Sequence, residues 1–197
     1  MSETIEIEFK NILTKVEYEN LLKTFKVEEN QIISQINHYF DTPDFTLKNL
    51  ACALRIREKN IDFEMTLKQP AAVGLFETTQ YLTEDEFSKA IKDGILPNGI
   101  IYEKLDKLNI SLSSLEYFGS LTTRRAEFPY NNGLLVLDHS SYLNTEDFEV
   151  EYEVEEFHQG QQAFHKLLKQ YSIPIRKTQN KIIRFYQQKN ISGLFEI

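Results

Sequence analysis

The chain has 197 residues, 22 Lys+Arg against 30 Asp+Glu for a formal charge of −8, 41% hydrophobic residues, one cysteine and no tryptophan. That length and apolar content fit one globular domain with a sizeable core and exclude a disordered chain, while the acidic sum argues against an exposed basic surface for nucleic acid. No apolar run approaches the roughly 18 residues of a membrane span and the opening MSETIEIEFK lacks the basic and apolar regions of a signal peptide, so a cytoplasmic protein with no membrane partner is expected.

Residues 2–11 alternate, with Glu6, Glu8 and Lys10 on one face and Ile5, Ile7 and Phe9 on the other, the pattern of a half-buried strand. Thr14 and Glu17 have capping-box spacing, and Tyr18, Leu21, Leu22 and Phe25 follow at helical spacing, which predicts a helix over 15–26. A strand over 32–42 should close at Pro43-Asp44, and the runs 51–59 and 62–69, separated by Asn60-Ile61, predict a hairpin. Gly74 opens a strand to Leu82. Thr83 and Glu86 form a second capping-box pattern, leading into a helix that stops near Gly94. A short helix over 101–108 and a long strand over 115–129 come next, then Asn132-Gly133, a strong hairpin signal, and a return strand over 134–143. Residues 147–156 alternate again. Ala163, Phe164, Leu167, Leu168 and Tyr171 share one helical face before Pro174, and a last helix is expected over 179–189. Residues 1–190 are thus expected to form one domain, with 191–197 a loosely held C-terminal tail. About eight strands with few parallel crossovers, plus four or five short helices, predict an α+β fold whose sheet curls or closes into a barrel.

The polar strand faces carry unusual charge. Arg55, Arg57 and Lys59, then Glu64, Thr66 and Lys68, Glu77 and Thr79, Thr123, Arg125 and Glu127, and Asp147 through Glu155 in alternate positions all share the parity that would face away from an apolar core. A row of acids two residues apart costs stability unless something compensates. If the sheet closes, these faces would line a lumen and the apolar set Ile5, Ile7, Phe9, Leu54, Ile56, Phe63, Met65 and Leu67 would turn outward under the helices. Charges in such a lumen call for a charged ligand: arginine and lysine suit phosphate oxygens, and clustered carboxylates suit a hard divalent cation such as Mg²⁺ or Mn²⁺. Arg125 is preferred to Arg124 because it shares the parity of Thr123 and Glu127, and Glu151 and Glu153 are preferred to Glu149 and Glu155 as the centre of their strand. Cys52, alone and of outward parity, is expected to be a small buried hydrophobe, and His38, His139, His158 and His165 have no metal-ligand spacing.

Glu6-Ile7-Glu8-Phe9-Lys10 is an ExExK pattern, and Tyr39-Phe40-Asp41-Thr42, Leu54-Arg55-Ile56-Arg57, Thr66-Leu67-Lys68, Thr123-Arg124-Arg125, Leu137-Asp138, Glu149-Val150-Glu151-Tyr152-Glu153 and Asn180-Lys181 follow in order. Over nearly its whole length the chain resembles the CYTH, or triphosphate tunnel metalloenzyme, superfamily, and within it the YjbK-like bacterial branch. The resemblance implies an eight-stranded antiparallel β-barrel with short helices packed outside, and a lumen that binds a small-molecule triphosphate and a divalent metal, Mg²⁺ or Mn²⁺. It implies Lys10, Arg55, Arg57, Lys68, Arg125 and Lys181 as phosphate ligands, and Glu6, Glu8, Asp138, Glu151 and Glu153 as metal ligands. Glu6, Glu8 and Lys10 become the catalytic candidates, with Glu64, Glu77 and Glu127 as further lumen acids. The activity implied is that of a metal-dependent phosphohydrolase acting on tripolyphosphate, thiamine triphosphate or a related compound. Two alternatives stand beside it: a class IV adenylate cyclase, and a non-catalytic polyphosphate- or nucleotide-binding module.

Overall fold

A computed structural model describes residues 2–191. Its eight strands are β1 (Ser2–Leu13), β2 (Ile33–Asp41), β3 (Ala53–Lys59), β4 (Asp62–Pro70), β5 (Leu75–Leu82), β6 (Glu116–Tyr130), β7 (Gly133–Tyr142) and β8 (Thr145–Val154). They hydrogen-bond in the order β1-β5-β4-β3-β2-β6-β7-β8 as a closed barrel. The helices are α1 (Lys15–Thr24), α2 (Thr46–Asn49), α3 (Glu84–Asp93), α4 (Ile100–Lys107), α5 (Phe157–Gln170) and α6 (Lys181–Ile191). None among the described residues is long and apolar enough to cross a membrane. The chain forms two compact units, one of Met1–Glu6 with Gln35–Ser120 and one of Ile7–Ser34 with Leu121–Ile197.

In the first unit, the register sets Arg55 opposite Thr66 and Thr66 opposite Thr79, and places Lys68 opposite Glu77 and Arg57 opposite Glu64. Directly opposed residues project to the same side, so one face of this sheet collects the charges and the other collects Phe40, Leu54, Ile56, Met65 and Leu67. Those five are buried against Ala90 of α3, Ile101 and Leu105 of α4, and Leu96, Ile110 and Leu115 of the connecting segments. Cys52 belongs to this core. Each fully buried aliphatic side chain contributes roughly 1.5–3 kcal/mol. Helix α3 starts as its sequence predicts: Thr83 caps the backbone of Glu86 and the Glu86 carboxylate returns to Thr83. It ends at Gly94, whose φ of 67° suits a residue without Cβ.

In the second unit, Lys10 lies opposite Glu151 and Glu8 opposite Glu153, while Asp138 faces Glu149 on one side and Arg125 on the other. The opposite face carries Leu13, Ala126, Leu135, Leu137, Phe148, Val150 and Tyr152, covered by Tyr18 and Leu21 of α1 and by Phe164, Leu167 and Leu168 of α5. The Thr14–Glu17 capping box that starts α1 is present.

The outward apolar set is correct in parity but not uniformly covered: Leu54, Ile56, Met65 and Leu67 are fully buried, whereas Ile5 is 62% exposed. Four local features also differ from the sequence expectation. Helix α2 is built by a side chain rather than by apolar spacing: the Asp41 carboxylate accepts from the backbone N–H of Thr42 and Leu47 at 2.8 Å and of Lys48 at 3.1 Å. Helix α6 runs on to Ile191, so residues 190–191 are helical and the remainder of the expected tail lies outside the described residues. The link expected near 143–147 is a two-residue turn, Leu143-Asn144, with φ of 45° and 62°, and Asp147 is already in β8. The β6–β7 turn is Asn131-Asn132, one residue earlier than the Asn-Gly pair, with Asn131 at φ 49° and Gly133 opposite Tyr130 as the first residue of β7.

Gly133 therefore serves a close approach of strands rather than the turn. A Cβ there would stand 2.4 Å from the Glu153 carbonyl oxygen and 2.8 Å from the Tyr152 ring. Gly133→Ala is expected to destabilise the protein by about 1–3 kcal/mol, the usual cost of forcing volume into a packed site, read as a lower urea midpoint at unchanged slope.

Candidate functional site

The second unit buries a network of ions. Asp138 of β7 and Glu149 and Glu151 of β8 are almost wholly inaccessible, and four cations meet the acids of this face. The Arg125 guanidinium binds Asp138 in a fork, with Nε 2.8 Å from Oδ1 and Nη2 2.6 Å from Oδ2, and its Nη2 also donates to Glu151 Oε2 at 2.7 Å. Lys181, the first residue of α6, places Nζ 2.6 Å from Glu151 Oε1, 2.9 Å from Asp138 Oδ2 and 3.3 Å from Glu149 Oε2. One turn later, Arg184 holds Asp147 through Nε at 2.9 Å and also pairs with Glu149. Lys10 pairs with Glu8 two residues away on β1. Tyr142 donates to Asp147 Oδ2 at 2.7 Å.

The titration behaviour follows from this wiring. Burial alone would raise the carboxyls of Asp138 and Glu151, but Arg125 and Lys181 overcome it and hold Asp138 below, and Glu151 well below, the usual range. For Glu149 burial wins: its carboxyl is pushed up despite Lys181 and Arg184. Burial would lower the Lys181 ammonium, yet Asp138, Glu149 and Glu151 together raise it well above its ordinary value. Glu149 also keeps one buried oxygen, Oε1, with no hydrogen-bond partner among the described residues.

The first unit holds a smaller set. Lys68 Nζ lies 2.5 Å from Glu6 Oε2 and also pairs with Glu77. Burial would raise the Glu77 carboxyl, but Lys68 and Arg55 bring it below the usual range. Arg57 Nε donates to Asn37 Oδ1 at 3.2 Å, and Thr66 leans toward Glu64 at 3.5 Å. Arg55 Nε is buried and has no hydrogen-bond partner among the described residues. A buried guanidinium N–H costs free energy until an acceptor reaches it, which makes this position one that a phosphate oxygen would satisfy.

The singled-out residues that lie in strands have the parity expected of them, but their surroundings differ. Glu127 shares the face of Arg125 and is exposed. Glu153 stands opposite Glu8 near the end of β8, while Glu149 and Glu151 occupy its middle, because the strand begins at Thr145 rather than near 147. Glu155 lies past the strand and is exposed. Sequence reasoning passed over Arg184, Asn37 and Tyr142, and it counted Asp147 on the charged face without giving it a partner. Arg184 was recoverable from its spacing, since three residues after Lys181 on a helix is the same face. Two of the histidines make packing and hydrogen-bond contacts: His38 sits between Tyr117 and Glu58, and His139 stacks on Phe148 at 4.5 Å.

Among the described residues, no group of three or more acidic, histidine or cysteine side chains is gathered as a ready metal cage. The donor chemistry nevertheless fits a hard divalent cation. The donors available are carboxylate oxygens, and in the second unit the six carboxylates Glu8, Asp138, Asp147, Glu149, Glu151 and Glu153, with Glu149 Oε1 buried and without a partner among the described residues, accompany the four cations Lys10, Arg125, Lys181 and Arg184.

Comparison with known proteins gives a consistent picture. The CYTH domain matches residues 4–186. The chain is 50% identical over 192 residues to "Putative triphosphatase YjbK" of Bacillus subtilis (strain 168), covering 98% of this chain and 100% of that protein. The crystal structure of a protein from Bacillus halodurans, described as a putative adenylate cyclase, superposes with a TM-score of 0.92 at 42% identity over 94% of this chain and 100% of that one. A Hippeastrum protein, named a putative adenylyl cyclase and described as having a dominant triphosphatase activity, shares the fold at a TM-score of 0.78 and 20% identity, over 93% of this chain and 96% of that one.

Lys181→Ala would leave three buried carboxylates with one cation fewer, and breaking a buried pair in this way costs about 3–5 kcal/mol near neutral pH. The pH window follows from the shifts. The depressed carboxyls of Asp138 and Glu151 contribute stability present above their unfolded values, near 4, and lost as pH falls through their folded values. The raised Lys181 contributes stability present below its unfolded value and lost only as pH rises through its folded one. Urea denaturation is therefore expected to show a deficit in Lys181→Ala that is full at pH 7 and shrinks in acid below about pH 4. A deficit of constant size across that range would contradict this origin.

Proposed function

The chain belongs to the CYTH domain family, in its YjbK-like branch, and from that premise we propose that it is a divalent-metal-dependent triphosphatase acting on inorganic triphosphate or a related triphosphate compound. The observation that carries the reading is the pairing pattern of the inner sheet face: cations of both units are held by carboxylates at ion-pair distance, and the buried Arg55 Nε lacks an acceptor. Such a face is built for exchange of partners. An arriving triphosphate, with ~4 negative charges near neutral pH, offers oxygens to lysine and arginine in place of the carboxylates, and the carboxylates thereby released become free to hold a divalent cation.

In this reading Lys10, Arg125 and Lys181 of the second unit and Arg55, Arg57 and Lys68 of the first bind phosphoryl oxygens, Arg125 by its planar fork and the lysines as point charges. Glu6, Glu8, Asp138, Glu151 and Glu153 hold Mg²⁺ or Mn²⁺; Glu149, buried at the middle of β8, joins them as a candidate ligand. When bound, the cation supplies neutralisation of the triphosphate charge and acidification of a water molecule. The chain's own part is to orient the terminal phosphoryl group, to stabilise charge that develops on the leaving diphosphate through the six cations, and to accept the water proton on Glu8 once Lys10 has turned to phosphate. No covalent nucleophile is required, in keeping with a buried Cys52 whose thiol is pushed up by its burial.

A cyclase reading is favoured by one specific finding, the description given to the 42% identical Bacillus halodurans protein. One panel separates the two and tests both: the protein is incubated with Mg²⁺ or Mn²⁺ and with tripolyphosphate, thiamine triphosphate or ATP, and phosphate, pyrophosphate and cyclic AMP are measured together. Phosphate release from tripolyphosphate, reduced about 10²–10³-fold in Lys10→Ala or Arg125→Ala, is the expected result. Cyclic AMP with pyrophosphate would move the assignment to a cyclase, and tight triphosphate binding without any product would reduce it to a binding module.

A further inference from the structure

Residues 173–180, between α5 and α6, have no helical or strand structure, yet their backbone and side chains are tied down at successive points. The buried Asn11 of β1 donates from Nδ2 to the Pro174 carbonyl at 3.1 Å and accepts on Oδ1 from the Arg176 N–H at 2.6 Å. Arg176 turns its guanidinium to the Ile12 carbonyl at 2.9 Å and, as a fork, to both carboxylate oxygens of Glu17 at 2.8 and 2.9 Å. The N–H of Ile12 donates to Thr178 Oγ1 at 2.8 Å, and that hydroxyl donates to the Arg176 carbonyl at 3.0 Å. β1 pairs with β5 over Ser2–Glu6 and with β8 over Ile7–Leu13, so at Ile12 this irregular segment supplies hydrogen bonds to the strand edge that β8 does not occupy.

The position of this clasp in the chain gives it a consequence for the ion network. Three residues after Thr178 comes Lys181, and three residues reach at most about 11 Å. The Asn180 carbonyl accepts from the N–H groups of Ile183 and Arg184 and so starts α6 directly from the clasped segment. Lys181 and Arg184, the two cations that α6 delivers to Asp138, Asp147, Glu149 and Glu151, therefore take their place from a segment whose own place is set on β1 and α1. Glu17 is shared between two jobs: its Oε2 also accepts from Thr14 N–H at 2.7 Å in the α1 capping box.

We infer that Asn11, Glu17 and Arg176 are positioning residues for the triphosphate site: they clasp residues 174–178 to β1 and α1 and thereby hold α6 so that Lys181, with Arg184 one turn on paired to Asp147 and Glu149, stands where it can exchange carboxylate for phosphate oxygen. The inference rests on the reading of Lys181 as a phosphate ligand. It adds residues that would touch no substrate, and it predicts that they act through Lys181, since an error of about 1 Å in placing a binding group is enough to cost 10²-fold in rate.

The test is a double-mutant cycle with the full chain, using tripolyphosphate with Mg²⁺ as the probe. Arg176→Ala is expected to raise KM about tenfold with a smaller change in kcat, Arg176→Lys to fall between it and wild type, and Arg176→Ala in the Lys181→Ala background to change KM less than twofold further. Equal effects of Arg176→Ala in both backgrounds would overturn positioning through Lys181. Amide hydrogen exchange supplies a readout independent of turnover: in Arg176→Ala, the amides of Phe185 and Tyr186 should exchange faster while those of β7 and β8 keep their protection, and unchanged exchange in α6 would overturn the clasp. Glu17→Gln, which keeps an acceptor for the α1 cap and removes the charged fork, serves if Arg176→Ala does not fold. A wild type that neither binds nor hydrolyses tripolyphosphate would refute the functional reading, and the exchange experiment would still decide the clasp.

Discussion

Charge buried on a sheet face must be answered within hydrogen-bond distance, and that constraint organises the rest of this protein. Asp138 and Glu151 have no access to water worth the name, and moving an ion from water to such a place costs several kcal/mol. The cost is offset by contacts that the register makes available: Arg125 stands opposite Asp138, and Lys10 opposite Glu151. What the strands alone do not supply, α6 brings in as Lys181 and Arg184. The network is thus cross-linked from strand and helix, so its geometry depends on both.

The second face of each sheet solves the complementary problem. Leu54, Ile56, Met65 and Leu67 in one unit and Leu135, Leu137, Val150 and Tyr152 in the other pack under helices, and their burial supplies the stabilisation that a face of ion pairs does not. A buried ion pair is weak as a source of stability, because much of its Coulombic gain is spent on desolvation. Its retention makes physical sense where the ions have another partner to receive. Lysine and arginine paired to carboxylates remain charged and oriented, and under the function proposed above a triphosphate with a divalent cation would replace both sides of those pairs without leaving a charge unanswered.

Much of this was legible because a strand has a period of two. Parity alone separated Arg125 from Arg124, and the structure agrees: Arg125 binds Asp138 and Glu151, while Arg124 reaches out to Glu29 on an exposed surface. The two capping boxes were equally readable, since their donors and acceptors lie within four residues. What parity cannot supply is a strand's end point. Placing the start of β8 two residues late shifted its apparent centre from 149–150 to 151–152 and so left Glu149, which is fully buried, outside the preferred pair of Glu151 and Glu153. Helix α2 was invisible for a related reason: its stabilising group is the Asp41 carboxylate, several residues upstream, and no apolar spacing announces it.

By itself, then, the sequence determined which face of each strand every side chain takes, where the capped helices begin, and the order of motifs that marks the CYTH family, because all of these follow from local geometry and short spacings. Only the tertiary structure decided which acid answers which cation, that Gly133 is required by the Glu153 backbone rather than by its turn, and that residues 174–178 are fastened to Asn11, Ile12 and Glu17. Those contacts join positions more than a hundred residues apart or on separate elements, and the distance between two atoms there is set by packing and register, which no short window of sequence contains.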